Sequence, residues 1–238
     1  MSPYLFAVFI DDVVNNVYSS NFGCHFGIVN VSIFLYADDI LLLAPTVFAL
    51  QQLVNIVECY LTNIDMSLNS NKSVCMRIGP DFKRECAAII TKNGDSLRWV
   101  DRLRYLGVVF MSAKTFQASL ADNKRSYYRS VNSVFSKVGR HASEEVLCKL
   151  VNSKCVPSLL YGLEAVPLTT SHRRTLDFVC NRTHMKIFRT RSLDIVTLCY
   201  EMMNISLYSV LIDSRKERFL TKFSNSDNLL CKMIVTGV

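Results

Sequence analysis

The sequence predicts an α+β fold with short strands in the front of the chain and helices in the rear. Up to about residue 110, brief apolar segments are separated by turn signals, a pattern typical of strands. From residue 114 onward, apolar side chains recur at helical spacing. Eight glycines and five prolines in 238 residues leave few turns for a many-stranded barrel. We therefore expect an α+β front joined to an all-α rear.

The front elements follow from local signals. Asn15 and Asn16 are the expected end of a first helix, and Thr46 is the expected N-cap of a second. Asn93 and Gly94 mark a hairpin turn. The predicted elements are a helix over 4–17, two strands joined by a tight turn within 31–43, a helix over 46–64, and strands over 74–78, 88–91, 97–100 and 105–110.

The strand pair within residues 31–43 is nearly continuous in Val, Ile, Phe and Leu. Because apolar residues there do not alternate with polar ones, we expect both strands to be buried on two faces.

The rear is predicted to be helical almost to its end. Apolar residues are expected on one side of the first rear helix: Phe116, Leu120, Tyr127, Val131, Val134 and Val138. Cations are expected on its other side: Lys114, Arg125, Arg129 and Arg140. Later helices are predicted over 143–160, 171–189, 192–204 and 206–223.

The composition indicates a globular chain. Half of the residues are apolar, which is enough for a sizeable core, and no apolar run approaches the 18 residues that cross a bilayer. The nine cysteines are odd in number and never form a Cys-x-x-Cys pair, so we expect reduced thiols rather than a disulfide framework. The start of the chain does not resemble a signal peptide, and we do not expect secretion.

The charge is unevenly distributed along the chain. Six acids and two cations up to Pro80 give a net charge of −4, while the 25 cations and 14 acids that follow give +11. An acidic front and a basic rear fit an acid or metal site beside a surface that binds a polyanion. A requirement for solubility explains the same counts equally well.

Asp38 and Asp39 are the clearest candidates for chemistry. They stand together at the expected turn of the apolar strand pair, where buried ionised groups are costly unless they are paired or bound to metal. Adjacent strand residues point to opposite faces, so a turn is what would let both carboxylates reach one cation. An ordinary hairpin turn, in which Asp is also favoured, is the alternative.

Tyr36-Ala37-Asp38-Asp39 resembles the Tyr-x-Asp-Asp hairpin of reverse transcriptases from retrotransposons without long terminal repeats, the LINE type. Four other segments resemble motifs of that family in the same order along residues 1 to about 190. They are the helix start Ser2-Pro3-Tyr4-Leu5-Phe6, the loop 68–73 with Lys72, the primer-grip hairpin Tyr105-Leu106-Gly107-Val108 and the downstream segment Leu160-Tyr161-Gly162-Leu163-Glu164.

The resemblance implies a partial right-hand polymerase palm over residues 1–111 and a helical thumb or connection region over 112–238. It also implies RNA-templated DNA synthesis with two Mg²⁺ ions, with Asp38 and Asp39 as carboxylate ligands. The implied partners are an RNA template, a DNA primer and a deoxynucleoside triphosphate, with no membrane. A nuclear or cytoplasmic location follows from the family alone.

Further site residues follow from the same resemblance. Lys72 is expected to act as proton donor or electrostatic partner of the leaving group, although a solvated loop charge explains a single lysine as well. Tyr36, Tyr105 and Gly107 are expected to contact or position primer. A core aromatic explains Tyr105 equally well, and a bulge explains Gly107 equally well. Arg125 and Arg129 are expected to bind nucleic acid.

The family takes a third carboxylate from a strand upstream of the Ser-Pro motif. Because this chain begins at Met1-Ser2-Pro3, we expect that strand to be absent, the chain to be truncated and polymerisation by it alone to fail. Asp11 and Asp12 lie on the first helix, where an acidic pair is usually solvated, so we do not expect them to substitute. Three alternatives stay open: a decayed or truncated retrotransposon product without activity, a non-catalytic module that binds nucleic acid through its basic rear, and a helical scaffold that does not bind it.

Overall fold

The structure, a computed structural model, describes residues 3–139 and 141–236. Its mixture of helices and small sheets confirms the predicted α+β class. Contacts divide the chain into two compact units. We call Met1–Arg77, Asp81–Asp101 and Ser226–Val238 the front unit, and Ile78–Pro80 and Arg102–Asn225 the helical unit. The division of the chain into 1–111 and 112–238 stays a prediction.

The helices and strands follow one another along the chain in two groups. The first group is α1 (Pro3–Ser19), β1 (His25–Phe26), β2 (Val29–Asn30), β3 (Ile33–Tyr36), β4 (Asp39–Leu42), α2 (Val47–Asn63), β5 (Val74–Cys75), β6 (Ile89–Ile90) and β7 (Ser96–Trp99). The second group is β8 (Arg102–Tyr105), β9 (Val108–Met111), β10 (Gln117–Ala118), α3 (Leu120–Val138), α4 (Glu144–Leu150), α5 (Val156–Leu160), α6 (Thr170–Ile187), α7 (Leu193–Met203), α8 (Tyr208–Ser224) and α9 (Leu229–Thr236).

The first helix is confirmed, but its predicted end at Asn15 and Asn16 is wrong. Helix α1 continues to Ser19, and polar side chains near its end bond back to carbonyls of the preceding turn. The Asn16 amide donates to the Asp12 carbonyl at 2.7 Å, and the Ser19 hydroxyl donates to the Asn15 carbonyl at 2.8 Å. These bonds satisfy the polar side chains without ending the helix.

The strands β3 and β4 form the expected antiparallel hairpin, in which Tyr36 pairs with Asp39 and Ile33 with Leu42. The prediction that both faces are buried is wrong. Ile33 is buried, together with residues of α1 and α2, whereas Phe34 and Tyr36 are exposed. Among the described residues, the hairpin packs against α1 and α2 through the face that carries Ile33, Leu35, Ile40 and Leu42.

Helix α2 begins after its predicted N-cap, because the Thr46 hydroxyl accepts a hydrogen bond from the Ala49 amide at 3.1 Å. The hairpin of β6 and β7 is also confirmed, and Gly94 has the positive φ of 85° that its turn requires. Gln51 of α2 holds this hairpin through two hydrogen bonds to the backbone of Ile90. The predicted strand over 74–78 is shorter than expected and pairs with β7 as β5.

The predicted strand over 105–110 is wrong, because a turn interrupts it. Leu106 and Gly107 have φ values of 47° and 83°, so the chain reverses there and β8 pairs with β9. The next helix begins at Leu120 rather than near Lys114, since residues 117–118 form β10 beside β9. Phe116 is therefore not on the packed face of a helix, as the periodicity predicted, but lies beside Phe110 with ring centroids 5.0 Å apart.

The later helices agree with the sequence prediction, with one interruption. A π-helical turn over Val151–Cys155 separates α4 from α5 within the segment 143–160. Helix α9 and the strands β1 and β2 were not predicted. Arg140, which was predicted on the basic side of α3, lies outside the described residues.

A polar cluster lies in the core of the helical unit. The Tyr127 hydroxyl donates to Thr183 Oγ1 at 2.9 Å and is 2.9 Å from the Tyr208 hydroxyl, and all three side chains are buried. These hydrogen bonds join α3, α6 and α8. Because buried hydroxyls are costly when unpaired, the bonds specify how the three helices pack.

No single helix in the described ranges is long and apolar enough to cross a bilayer. Helices α7 and α8 pass that test only as a pair, with a bend of 43° between them. The nine cysteines are free thiols.

Candidate functional site

The two acids lie at the tip of the β3–β4 hairpin. Ala37 and Asp38 form its turn, and Ala37 has a φ of 50°. Asp39 is the first residue of β4. Both carboxylates are exposed, and the Tyr36 side chain beside them is 62% exposed. The hairpin therefore presents the pair to solvent, where ionised carboxylates carry no desolvation penalty, in contrast to the buried setting that the sequence suggested.

The two carboxylates are the kind of ligand that suits a hard divalent cation, but two are too few for a complete site. Carboxylate oxygens are the ligands that Mg²⁺ prefers. Among residues 3–139 and 141–236, however, no group of three or more His, Cys, Asp or Glu side chains lies close enough to hold a metal ion. Asp11 and Asp12 are exposed on α1. The described residues therefore do not fit a complete metal site by themselves.

Lys72 lies in a turn between α2 and β5, in the same unit as the acids. The Asn69 side chain accepts a hydrogen bond from the Lys72 amide at 3.2 Å, and the Asn69 carbonyl accepts one from the Ser73 amide at 2.9 Å. The Lys72 side chain is exposed. In the described part of the chain, no hydrogen bond or ion pair joins it to Asp38 or Asp39, so its predicted role stays a prediction.

The turn between β8 and β9 is held by a segment 55 residues further along the chain. The Tyr161 hydroxyl donates to the Leu106 carbonyl at 3.0 Å, and a Cβ at Gly107 would lie 3.1 Å from the Tyr161 ring. The side-chain amide of Asn123 donates a hydrogen bond to the Tyr161 carbonyl at 3.0 Å and so holds Tyr161 in place. The sequence singled out both segments separately, but no signal in it indicated their contact.

Tyr105 and Gly107 thus have defined structural positions. Tyr105 ends β8 opposite Val108, and Gly107 provides the turn. Their predicted role in positioning a primer is not tested by these contacts.

Arg125 and Arg129 lie on the exposed side of α3, opposite the buried Tyr127 and Val131. This arrangement matches the predicted separation of a packed face and a basic face. Arg125 is 3.6 Å from Asp122, whose pKa is lowered by the Ser119 hydroxyl and then by the Arg102 guanidinium. Because that carboxylate also bonds Arg102, it neutralises Arg125 only in part.

The first predicted motif lies only partly within the described residues. Ser2 lies outside them, and Pro3 is the first residue of α1. Phe6 packs at the edge of the cluster formed by α1, α2 and the hairpin.

Fold and site together define an α+β domain that presents paired carboxylates at a hairpin tip, followed by a helical unit. Residues 1–110 match the family model described as Reverse transcriptase (RNA-dependent DNA polymerase). This part, a little under half of the chain, is therefore similar to reverse transcriptases and includes the hairpin, Lys72 and the β8–β9 turn. A search of curated proteins found no match to the chain.

Proposed function

We propose that residues 1–110 provide part of the palm of an RNA-directed DNA polymerase from a LINE-type retrotransposon. The observation that carries this proposal is the exposed Asp38-Asp39 pair at the tip of a two-residue hairpin turn, within the segment that matches the reverse transcriptase family. The order of the hairpin, the Lys72 loop and the β8–β9 turn supports it. The proposed partners are an RNA template, a DNA primer and deoxynucleoside triphosphates.

Asp38 and Asp39 are proposed as two of the carboxylates that hold divalent cations, with Mg²⁺ as the natural choice for hard oxygen ligands. A third acid has to join them, because the described residues group no further acid with this pair. We propose that a carboxylate from outside the described residues supplies it. Bound Mg²⁺ would then activate the primer hydroxyl and stabilise the leaving pyrophosphate.

It follows that the 238-residue polypeptide by itself does not polymerise nucleotides. The purified chain is expected to leave a primer on an RNA template unextended in Mg²⁺, with the same background as Asp38→Ala. Extension by the wild-type chain that disappears in Asp38→Ala would contradict this part of the proposal.

The palm assignment has a separate test. Translation of the genomic DNA upstream of Met1 is expected to give Gln-Gly before a Leu in frame, and further upstream a strand containing Asp. A chain extended through that segment is expected to extend the primer, and to lose the activity in Asp38→Ala but not in Asp65→Ala, which removes an exposed acid outside the hairpin. Unrelated upstream sequence would contradict the assignment.

A second function is favoured by the surface of α3. Arg125 and Arg129 are exposed on one side of the helix while the other side packs, so the helical unit presents cations to solvent. We propose that this unit binds nucleic acid without catalysing a reaction. Binding of a fluorescent oligonucleotide by the full chain is expected to weaken steeply with salt, as phosphate contacts require. A salt-independent affinity, or none at low salt, would favour a helical scaffold instead.

A further inference from the structure

A cleft in the helical unit is lined by cations that the proposed polymerase site does not use. It has a volume of about 550 Å³ and lies between α3 and α6. Tyr128 and Asn132 of α3 face Arg182 and Lys186 of α6 across it, and Arg191 from the loop before α7 completes the lining. Each helix contributes residues four apart, a spacing that places two side chains on one face.

The loop that carries Arg191 has a defined conformation. After α6, Arg189 adopts a left-handed φ of 52°, and the Thr190 amide donates to the Met185 carbonyl at 3.1 Å, as in a Schellman motif. The Ser192 amide then donates to Thr190 Oγ1 at 3.2 Å. These hydrogen bonds fix the backbone on both sides of Arg191, whose side chain lines the cleft.

The cleft is unbalanced in charge. Its lining has three cationic side chains and no carboxylate. Within the described ranges, Arg182, Lys186 and Arg191 form no ion pair, whereas Arg173 on the same helix α6 is bound to Asp213. Like charges gathered around one cleft repel each other, so an anion bound between them would be attracted by all three.

The cations are held in a way that suits recognition. The Lys186 ammonium lies 4.3 Å from the centre of the Phe135 ring, a cation–π contact that orients it without neutralising it. Tyr128 and Arg182 line the same cleft, where the Arg182 charge opposes the rise that burial causes in the pKa of Tyr128. A cation near a helix C-terminus also offsets the helix dipole. That effect explains Lys186, but not Arg182 a turn earlier or Arg191 outside the helix.

We infer that the cleft lined by Arg182, Lys186 and Arg191 binds phosphate groups of a single nucleic-acid strand, an inference that rests on the proposed nucleic-acid-binding function of the helical unit. Guanidinium groups match phosphate oxygens in geometry and charge. Asn132 and the Tyr128 hydroxyl add neutral donors, and the Tyr128 ring offers an apolar face for a base. Inorganic tripolyphosphate carries phosphate groups without sugars or bases. Comparing it with an oligonucleotide therefore shows whether the cleft binds a nucleic-acid strand or any free phosphate chain.

The test uses the full chain, a fluorescent 12-nucleotide oligo-dT and tripolyphosphate. The cleft variant combines Arg182→Gln, Lys186→Gln and Arg191→Gln. The control variant combines Arg174→Gln, Arg218→Gln and Lys222→Gln, which removes three exposed cations of the same unit outside the cleft lining. The cleft variant is expected to bind oligo-dT at least 10-fold more weakly, with a salt slope shallower by about 2, since each single-strand phosphate contact contributes about 0.7. The control is expected to stay within about 2-fold of wild type.

The outcomes separate the two proposals. If the cleft and control variants lose the same amount of oligo-dT affinity, or if neither loses any, the cleft is not the phosphate-binding site. The proposal that the helical unit binds nucleic acid would still stand. If oligo-dT does not bind but tripolyphosphate raises the thermal unfolding midpoint of wild type and not of the cleft variant, the cleft holds free phosphate chains and nucleic-acid binding fails. If neither ligand binds, both proposals fail. If the triple variant unfolds at a lower temperature than wild type without ligand, the single variant Arg191→Gln is tested instead. It is expected to bind oligo-dT at least 3-fold more weakly than wild type.

Discussion

At the scale of single residues, His184 is the buried titratable side chain with the clearest consequence. It is fully buried in the helical unit, and its Nδ1 is 2.9 Å from the Cys180 carbonyl oxygen. Because that oxygen only accepts, Nδ1 carries the hydrogen. In the described residues Nε2 is buried without a partner. Protonation would place an unpaired charge in the core, and burial accordingly lowers the pKa of His184.

The neighbours of His184 do not titrate in the same range. Burial raises the pKa of Cys180 to about 12, and it raises those of Tyr200 and Tyr208 further. These three groups stay neutral between pH 5 and pH 8, so they neither compensate nor mask a proton on His184.

We predict that His184 makes the protein less stable in mild acid. Above the unfolded-state pKa of about 6.5 the imidazole is neutral in both states and has no pH-dependent effect. Below it the unfolded chain takes up the proton first, so stability falls as the pH decreases towards the lower folded-state pKa. In urea titrations from pH 8 to pH 5, His184→Gln is expected to lose less stability than wild type. His141→Gln, which removes an exposed imidazole, is expected to follow wild type, and equal slopes for all three would contradict the prediction.

At the scale of elements, two hairpin turns differ in what surrounds their glycines. Gly94 and Gly107 have nearly the same φ, 85° and 83°. A Cβ added at Gly94 would meet nothing within 4 Å, whereas one added at Gly107 would lie 3.1 Å from the Tyr161 ring. Alanine substitutions at these two glycines therefore distinguish two losses of stability. Gly94 reports the effect of a left-handed backbone alone, and Gly107 adds the effect of crowding Tyr161, which holds the β8–β9 turn.

We predict that Gly94→Ala destabilises the chain by about 1–2 kcal/mol, the usual penalty for a left-handed residue with a Cβ. Gly107→Ala is expected to cost about 1 kcal/mol more, because the Tyr161 ring is tethered to Leu106 and has to shift. Urea unfolding measures both: fluorescence of Trp99, the single tryptophan, reports on the front unit, and circular dichroism reports on the helices. The added cost should vanish in a Tyr161→Ala background, and its persistence there would exclude the contact as its cause.

At the scale of the whole molecule, exposed apolar side chains occur in both units, and in the front unit several of them lie on or beside a two-stranded sheet. Ile28 is 87% exposed, Val8 76% and Phe48 66%, and Phe34 and Tyr36 lie on the uncovered face of the β3–β4 sheet. The edges of a two-stranded sheet also present unpaired backbone groups. Apolar surface and free edges together favour self-association.

We predict that the purified chain self-associates with increasing concentration, and that Ile28→Asp reduces it by placing a charge in this surface. Light scattering at matched concentrations measures the effect. Met202→Asp, which alters a side chain 79% exposed in the helical unit, is the control and is expected to leave self-association within about 2-fold of wild type. An equal reduction by both variants would show that added negative charge, rather than the front surface, is responsible.

Much of the fold can be predicted from local sequence because local interactions decide it. The hydroxyls of Thr46, Ser143 and Ser192 cap α2, α4 and α7 where the sequence placed N-caps or helix starts. The turn of the Asp38-Asp39 hairpin and the helical rear likewise follow from spacing and turn residues. Residues 1–110, which match the reverse transcriptase family model, include the Asp38-Asp39 hairpin, the Lys72 loop and the β8–β9 turn that the sequence singled out.

Only the tertiary structure decided which surfaces are covered and which distant segments meet. The sequence pattern predicted that Phe116 packs on a helix, but the pairing of β10 with β9 places it outside the helix. The pattern also predicted a buried β3–β4 hairpin, but in the described residues one face of this sheet is not covered. The contact of Tyr161 with Leu106 and the gathering of Arg182, Lys186 and Arg191 around one cleft depend on how helices pack. Residue spacing specifies the face of an element, whereas the partner of that face is chosen by the free energy of the whole packed arrangement.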